Sequence, residues 1–182
     1  MGGTAAFRSA ITGGPGTGKS TLLAAARAAG IAVMPEVARA ILTKPGGMEL
    51  RQDNPTGFAE AMLAHELAAF EMAGQGGGVA IFDRGFPDIV GFLDLADLPV
   101  PASIDQACRE LRYEGPIFHA PPWREIYVSD AQRIQTWEEA LESDVAVMQA
   151  WRRYGYELTP LPLVDVAARL AFIQRAINEH GS

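Results

Sequence analysis

Short apolar runs alternate along the chain with longer stretches in which apolar residues recur every three or four positions. The run over residues 5–12 predicts a strand that enters a Gly-rich turn, and "STLLAAARAAG" predicts a helix of strong helix formers closed by Gly30. "IAVM" predicts a second strand, and "PEVARAILTK" opens a helix with Pro35 at its entry. Residues 44–55 are rich in Gly, Pro and polar side chains and predict an exposed, mobile loop. From 56 to 73, Phe58, Met62, Leu63, Leu67 and Phe70 fall on one side of a helix. "GQGGG" ends it, and "VAIF" predicts a third, buried strand. Helices are expected over 87–98 and 103–112, then a fourth strand in "PIFHA" and an irregular "PPWREIYVSD". Thr136 and Glu139 form a capping-box pattern that opens a helix to near Tyr154. "YELTPL" predicts a fifth strand, and Asp165 caps a last helix ending near His180.

Five strands alternating with helices imply right-handed crossovers and an α/β fold, its mainly parallel sheet covered by helices on both faces. Ligands then bind at the carboxyl ends of the strands. A chain of 182 residues, 48% hydrophobic and 20% charged, fits a single soluble domain with a substantial core over residues 1–182. No apolar run approaches the roughly 18 residues of a membrane span. The amino-terminal stretch lacks the pattern of a secretory signal, and Ala6 breaks the myristoylation pattern begun by Gly2. Cys108 is the one cysteine, which points to a reducing cytoplasm, and the three histidines lack metal-ligand spacing. A net charge of −7 argues against a nucleic-acid partner while leaving room for a local cationic pocket.

Such a pocket is written in "GGPGTGKST", which carries Gly-x-x-x-x-Gly-Lys-Ser from Gly13 to Ser20, the Walker A spacing. The chemistry needs backbone N–H groups turned inward around a β-phosphate, and glycine permits the positive φ that turns them. Gly13, Gly14, Gly16, Thr17, Gly18, Lys19, Ser20 and Thr21 are therefore the candidate nucleotide-binding residues. Lys19 is expected to reach the β- and γ-phosphates, and the Ser20 hydroxyl to ligate Mg²⁺. With a strand before it and a helix after it, the motif predicts a nucleoside triphosphate, taken as ATP.

Asp83 ends the third strand, the place where a Walker B carboxylate holds Mg²⁺, often through water; the bland alternative is an Asp that caps the next turn. Arg84 occupies the position at which ATP-driven motors carry a water-activating Glu. It either grips an acceptor or the transferring phosphoryl group, or forms a salt bridge that orders its loop. Glu36, just past the second strand, is a candidate general base for an acceptor hydroxyl, or a carboxylate favoured in a first helical turn, with Arg39 one turn on. The stretch 121–135 reads as a lid over the phosphates, with Arg133 and Arg124 as candidate charge stabilisers and Trp123 and Tyr127 either lining the acceptor site or anchoring the lid. His119 reads as a core residue, and Asp88-x-x-Gly91 as a chance match to a nucleotide-switch motif, since it lies within a helical pattern.

Together "ITGGPGTGKSTLL", "VMPEVARAIL", "FDRGFPDIVGFL" and "PPWREIYVSDAQRIQTWEEA" resemble a family of small P-loop proteins catalogued under an AAA-domain name, over about residues 8–178. More distantly the layout is similar to nicotinamide riboside kinases and deoxynucleoside kinases. The resemblance implies a P-loop NTPase three-layer sandwich with strand order 2-3-1-4-5. It also implies Glu36 as base or acceptor ligand, Asp83 and Arg84 as the acidic-Arg pair after the third strand, and Arg133 as a phosphate sensor. The reading that follows is a cytoplasmic, ATP- and Mg²⁺-dependent kinase of a small, nucleoside- or nucleotide-like acceptor. The alternative is a P-loop binding or regulatory protein with slow hydrolysis or none.

Overall fold

A computed structural model describes residues 7–127 and 136–182. At its centre β1 (Phe7–Thr12) lies between β3 (Val79–Asp83) and β4 (Ile117–His119). Beyond them stand β2 (Ala32–Met34) and β5 (Leu158–Pro160), giving the order 2-3-1-4-5 with every pairing parallel. Side chains alternate between the faces of the sheet, which divides the core in two. Phe7, Ile11, Ile81 and Phe118 face α1 (Lys19–Ala28) and α8 (Val166–His180), where they meet Leu22, Leu23, Ile173 and Ile177. Ala10, Ala80, Phe82 and Ile117 face the opposite layer. That layer holds α2 (Val37–Leu42), α3 (Gly47–Asp53), α4 (Pro55–Gly76), α5 (Phe86–Leu95), α6 (Ala102–Glu110) and α7 (Trp137–Arg153). The fold is the three-layer P-loop sandwich that the resemblance implied.

Helix-start signals act as the sequence suggests. Thr136 and Glu139 exchange side-chain-to-backbone hydrogen bonds of 3.2 and 2.7 Å at the start of α7, and Asp165 accepts from the Ala168 N–H at 2.9 Å.

The expected loop at 44–55 is instead largely helix: α3 occupies Gly47–Asp53. The glycines that suggested a loop are what allow a tight reversal after α2. Gly46 adopts φ 80°, and a Cβ on Gly47 would stand 2.1 Å from the Ile41 carbonyl oxygen. Leu50 then packs on the same core as α4, whose start is capped by Asn54 accepting from the Gly57 N–H at 2.9 Å.

Along α4 the inward stripe also differs from expectation at one point. Leu67 is 40% exposed, and Glu66, at 2%, takes the buried position beside Phe58, Met62, Leu63 and Phe70. Its Oε1 accepts the Tyr113 hydroxyl at 2.7 Å, and that hydroxyl accepts the Phe86 N–H at 3.2 Å, so the pair anchors the start of α5. Burial pushes the Glu66 carboxyl up to about 8 against the pull of the Tyr113 hydrogen bond, with the charges of Asp88 and Asp83 adding to the rise. The folded pKa lies above the unfolded one, so the neutral carboxyl supports the fold fully below about 4.5, and that support is lost as pH rises through about 8. Glu66→Gln keeps the acceptor and removes the titration. Its melting temperature should match the parent's near pH 5 and exceed it by a widening margin up to pH 9; a constant difference would contradict this account.

Among the described residues no helix is long and apolar enough to cross a membrane.

Candidate functional site

The carboxyl ends of β1, β2, β3 and β4 converge at Thr12, Met34, Asp83 and His119. From Thr12 the chain enters the Gly-rich loop with φ 136° at Gly13, where an added Cβ would stand 2.4 Å from the Ala120 carbonyl oxygen. Gly18, at φ 80°, is the N-cap of α1, so the free N–H groups of that helix open onto the loop. Lys19 is buried and curls into its own loop, donating to the carbonyls of Gly13 (2.9 Å) and Gly14 and to Thr17 Oγ1 (3.1 Å). Burial, then the nearby Arg84 charge, pull its ammonium down to about 7 against the carboxylates of Asp83, Glu36 and Asp88.

The loop is braced from behind. Asp144 on α7 accepts the Gly14 N–H at 2.8 Å, and its two carboxylate oxygens lie 2.9 and 3.1 Å from Nε2 of the buried His119. His119 thus has a partner within the core and stands one residue removed from the phosphate loop.

Arg84 has φ 75°, a left-handed conformation that is unfavourable for a residue with a Cβ, and its own N–H holds the Ile11 carbonyl at 2.9 Å. The turn sends its side chain across the strand ends. Nε donates to Glu36 Oε1 at 2.9 Å, and Nη1 donates to the Gly13 carbonyl at 3.0 Å and to Asp88 Oδ1 at 3.3 Å. The salt bridge that orders its loop is thus formed, and the same guanidinium stands beside the Gly-rich loop. Burial pushes the Glu36 carboxyl up, but the charge and hydrogen bond of Arg84, followed by Lys19 and Arg39, hold it below the ordinary carboxylate value. It is ionised at neutral pH. Arg39 is mostly exposed and its Nε lies 3.8 Å from Glu36.

Ser20, Asp83 and Glu36 line one cavity of about 440 Å³ between α1 and α2, floored by Val33 and Pro35 and bordered by Arg27 and Arg39. Asp83 Oδ1 is buried without a hydrogen-bond partner, and burial raises its carboxyl pKa more than Arg84 lowers it. An orphaned carboxylate oxygen opposite a hydroxyl fits a hard divalent cation. Among the described residues no three His, Cys, Asp or Glu gather around one point, so such an ion would draw its other ligands from phosphate and water.

Arg124 lies over the Trp137 ring at 5.0 Å, and Trp123 Nε1 donates to Glu125 at 3.1 Å. The Tyr127 hydroxyl donates to the Thr136 carbonyl at 3.0 Å and its ring meets Trp137 edge-on, so the beginning of the 121–135 stretch folds against the start of α7. Arg133 and the rest of that stretch, 128–135, lie outside the described residues.

Sequence reasoning missed Asp88. It is 7% exposed and accepts from the Thr12 hydroxyl (2.6 Å), the Gly85 N–H (3.0 Å), the Trp151 indole (2.9 Å) and Arg84 (3.3 Å). Its place three residues after Gly85, at the start of a helix, was the available signal, being the acidic half of a capping pattern. Asp144 and Arg169 were missed as well. Each is a charged residue in an otherwise ordinary helical period, and only the tertiary fold sets it against the loop.

The chain matches a family model described as an AAA domain over residues 8–169, and it belongs to that family. A search of curated protein sequences returns no match. Among solved structures it is similar to the deoxyadenosine kinase from M. mycoides with bound dATP, with a TM-score of 0.66 and 16% identity over 94% of this chain and 99% of that one. It is similar also to the NadR protein in complex with NR, with a TM-score of 0.68 and 19% identity over 97% of this chain and 52% of that one. At these identities the likeness shows a shared fold.

Proposed function

We propose that this chain is a phosphotransferase that moves the γ-phosphoryl group of ATP, with Mg²⁺, to a small acceptor that is nucleoside- or nucleotide-like. The observation that carries this reading is the Arg84–Glu36 pair at 2.9 Å, in which Arg84 also holds the Gly13 carbonyl and Glu36 lines one cavity with Ser20 and Asp83. An ionised carboxylate there can take a hydroxyl proton, whereas the position after Asp83, which would serve a water-activating Glu, holds Arg84. The kinase neighbours of like fold support the same class.

In this reading Ser20 and Asp83 hold the Mg²⁺ ion, which would supply charge neutralisation at the phosphates. Lys19 leaves the Gly13 and Gly14 carbonyls to pair with phosphate oxygens, and the loop N–H groups of Gly16 to Ser20 orient them. Glu36 accepts the acceptor's proton while Arg84 fixes its carboxylate. Compartment and acceptor follow the sequence reading: a cytoplasmic enzyme, without a nucleic-acid partner.

The test is ATP consumption with Mg²⁺, first alone and then against a panel of nucleosides, nucleotides and vitamin precursors, with Lys19→Ala as the blank. Turnover that needs one acceptor class and is lost in Lys19→Ala is the expected result. Slow hydrolysis indifferent to acceptor would overturn it and favour a nucleotide-dependent binding protein.

A further inference from the structure

Arg169 is a cation without an anion. It is 2% exposed, and among the described residues no carboxylate pairs with it. Its Nη1 donates to the Thr17 carbonyl at 3.0 Å, while Nε and Nη2 are buried with no acceptor. Those two N–H groups lie on the same edge of the guanidinium, the edge that binds two acceptors side-on. Buried donors in native proteins nearly always have partners, so a complete unfilled fork indicates one that arrives from outside.

Its surroundings narrow what arrives. Arg169 Nη1 and Ile126 Cδ1 stand 3.1 and 3.2 Å from the place a Cβ on Gly18 would occupy, so the guanidinium lies close against the loop and a side chain there would press it away. The Thr17 carbonyl of the Gly-rich loop accepts from Arg169, which puts the fork on the flank of that loop. The guanidinium carbon lies over the Trp123 ring, 5.8 Å from its centre, so one aromatic face is stacked on the cation whose two donors are unfilled. A planar heterocycle with edge acceptors, or a ribose beside it, suits that combination better than a phosphate, which the loop already serves.

We propose that Arg169 and Trp123 hold the nucleoside half of the triphosphate, the Nε–Nη2 edge of Arg169 donating to acceptors of base or ribose and Trp123 lying beside the base. The assignment rests on the nucleotide-binding reading of the Gly-rich loop and adds to it a contact outside the phosphates.

Arg169→Lys is the informative variant, because lysine keeps the charge and reaches a carbonyl but cannot form the fork. Binding of ATP, GTP and inorganic tripolyphosphate to parent and variant is measured by calorimetry, with Trp123→Leu as a second variant that leaves Arg169 intact. The expected result is a loss of roughly 10- to 100-fold in triphosphate affinity for Arg169→Lys, as the loss of about one of the two charged hydrogen bonds implies when lysine keeps the other, with tripolyphosphate changed by less than about 3-fold. A parent that prefers GTP assigns the fork to the O6–N7 edge of guanine; equal affinities assign it to the ribose. Equal weakening of tripolyphosphate would overturn the proposal by showing that Arg169 acts through the loop. So would unchanged triphosphate binding in both variants, which leaves the nucleotide-binding reading standing. A parent that binds none of the three overturns both.

Discussion

Asp88→Ala should lower the unfolding free energy by about 3–5 kcal/mol, the cost of removing one partner from a buried charged pair. Four donors converge on this carboxylate, and they come from three different parts of the fold. They are the Thr12 hydroxyl at the end of β1, the Gly85 N–H at the start of α5, the Trp151 indole on α7 and the Arg84 guanidinium. Alanine leaves the indole and the hydroxyl unpaired in the core, each worth about 1–3 kcal/mol of lost satisfaction. It also removes one of the two carboxylates that hold Arg84, whose pKa is raised by Glu36, Asp88 and Asp83 against burial. Asp88→Asn keeps the shape but turns an NH₂ group toward donors, so an intermediate loss is expected. Urea unfolding followed by tryptophan fluorescence measures both; a loss below about 1 kcal/mol for alanine would show that the convergence of donors is energetically idle.

The second large effect belongs to Glu36→Gln. Glutamine keeps the size and one acceptor for Arg84 but cannot take a proton, so acceptor-dependent kcat should fall by about 10²- to 10⁴-fold. The affinity for the triphosphate should stay within about 3-fold, because Glu36 faces the cavity rather than the loop N–H groups. A variant that loses nucleotide affinity and turnover together would reveal an ordering role exerted through Arg84. A variant with unchanged kcat would remove Glu36 from the chemistry.

How far the site was legible depended on the kind of signal each residue carries. Gly13 to Ser20 was readable because phosphate binding needs a run of backbone geometry, and backbone geometry is local. Asp83 and Arg84 were readable as a strand end, and Glu36 because it follows the neighbouring strand in a parallel sheet. That Arg84 and Glu36 would touch depends on β2 lying beside β3, a fact of topology supplied by the family resemblance. Asp88, Asp144 and Arg169 answer to no local pattern beyond a helix position, and each acts across 63 or more residues or onto a loop far behind it in sequence. The helix over Gly47–Asp53 was hidden by two glycines whose conformational role is at its entry rather than its interior. Leu67 was misplaced because hydrophobicity ranks it above Glu66, while a tyrosine hydroxyl and an apolar shell make the carboxyl the better inward residue.

The curled Lys19 gives the Gly-rich loop a thermodynamic character of its own. Its ammonium shares the Gly13 and Gly14 carbonyls and the Thr17 hydroxyl, so its own donors are satisfied within the loop. Occupancy is therefore an exchange equilibrium, in which an entering anion replaces three neutral acceptors with charged ones. Because burial in the loop holds the lysine near a pKa of about 7, that exchange at alkaline pH draws a proton from solvent along with the ligand. On the proposed phosphotransferase reading, a ligand with too little charge to drive the swap would leave the three bonds in place, so the loop would select by anionic strength.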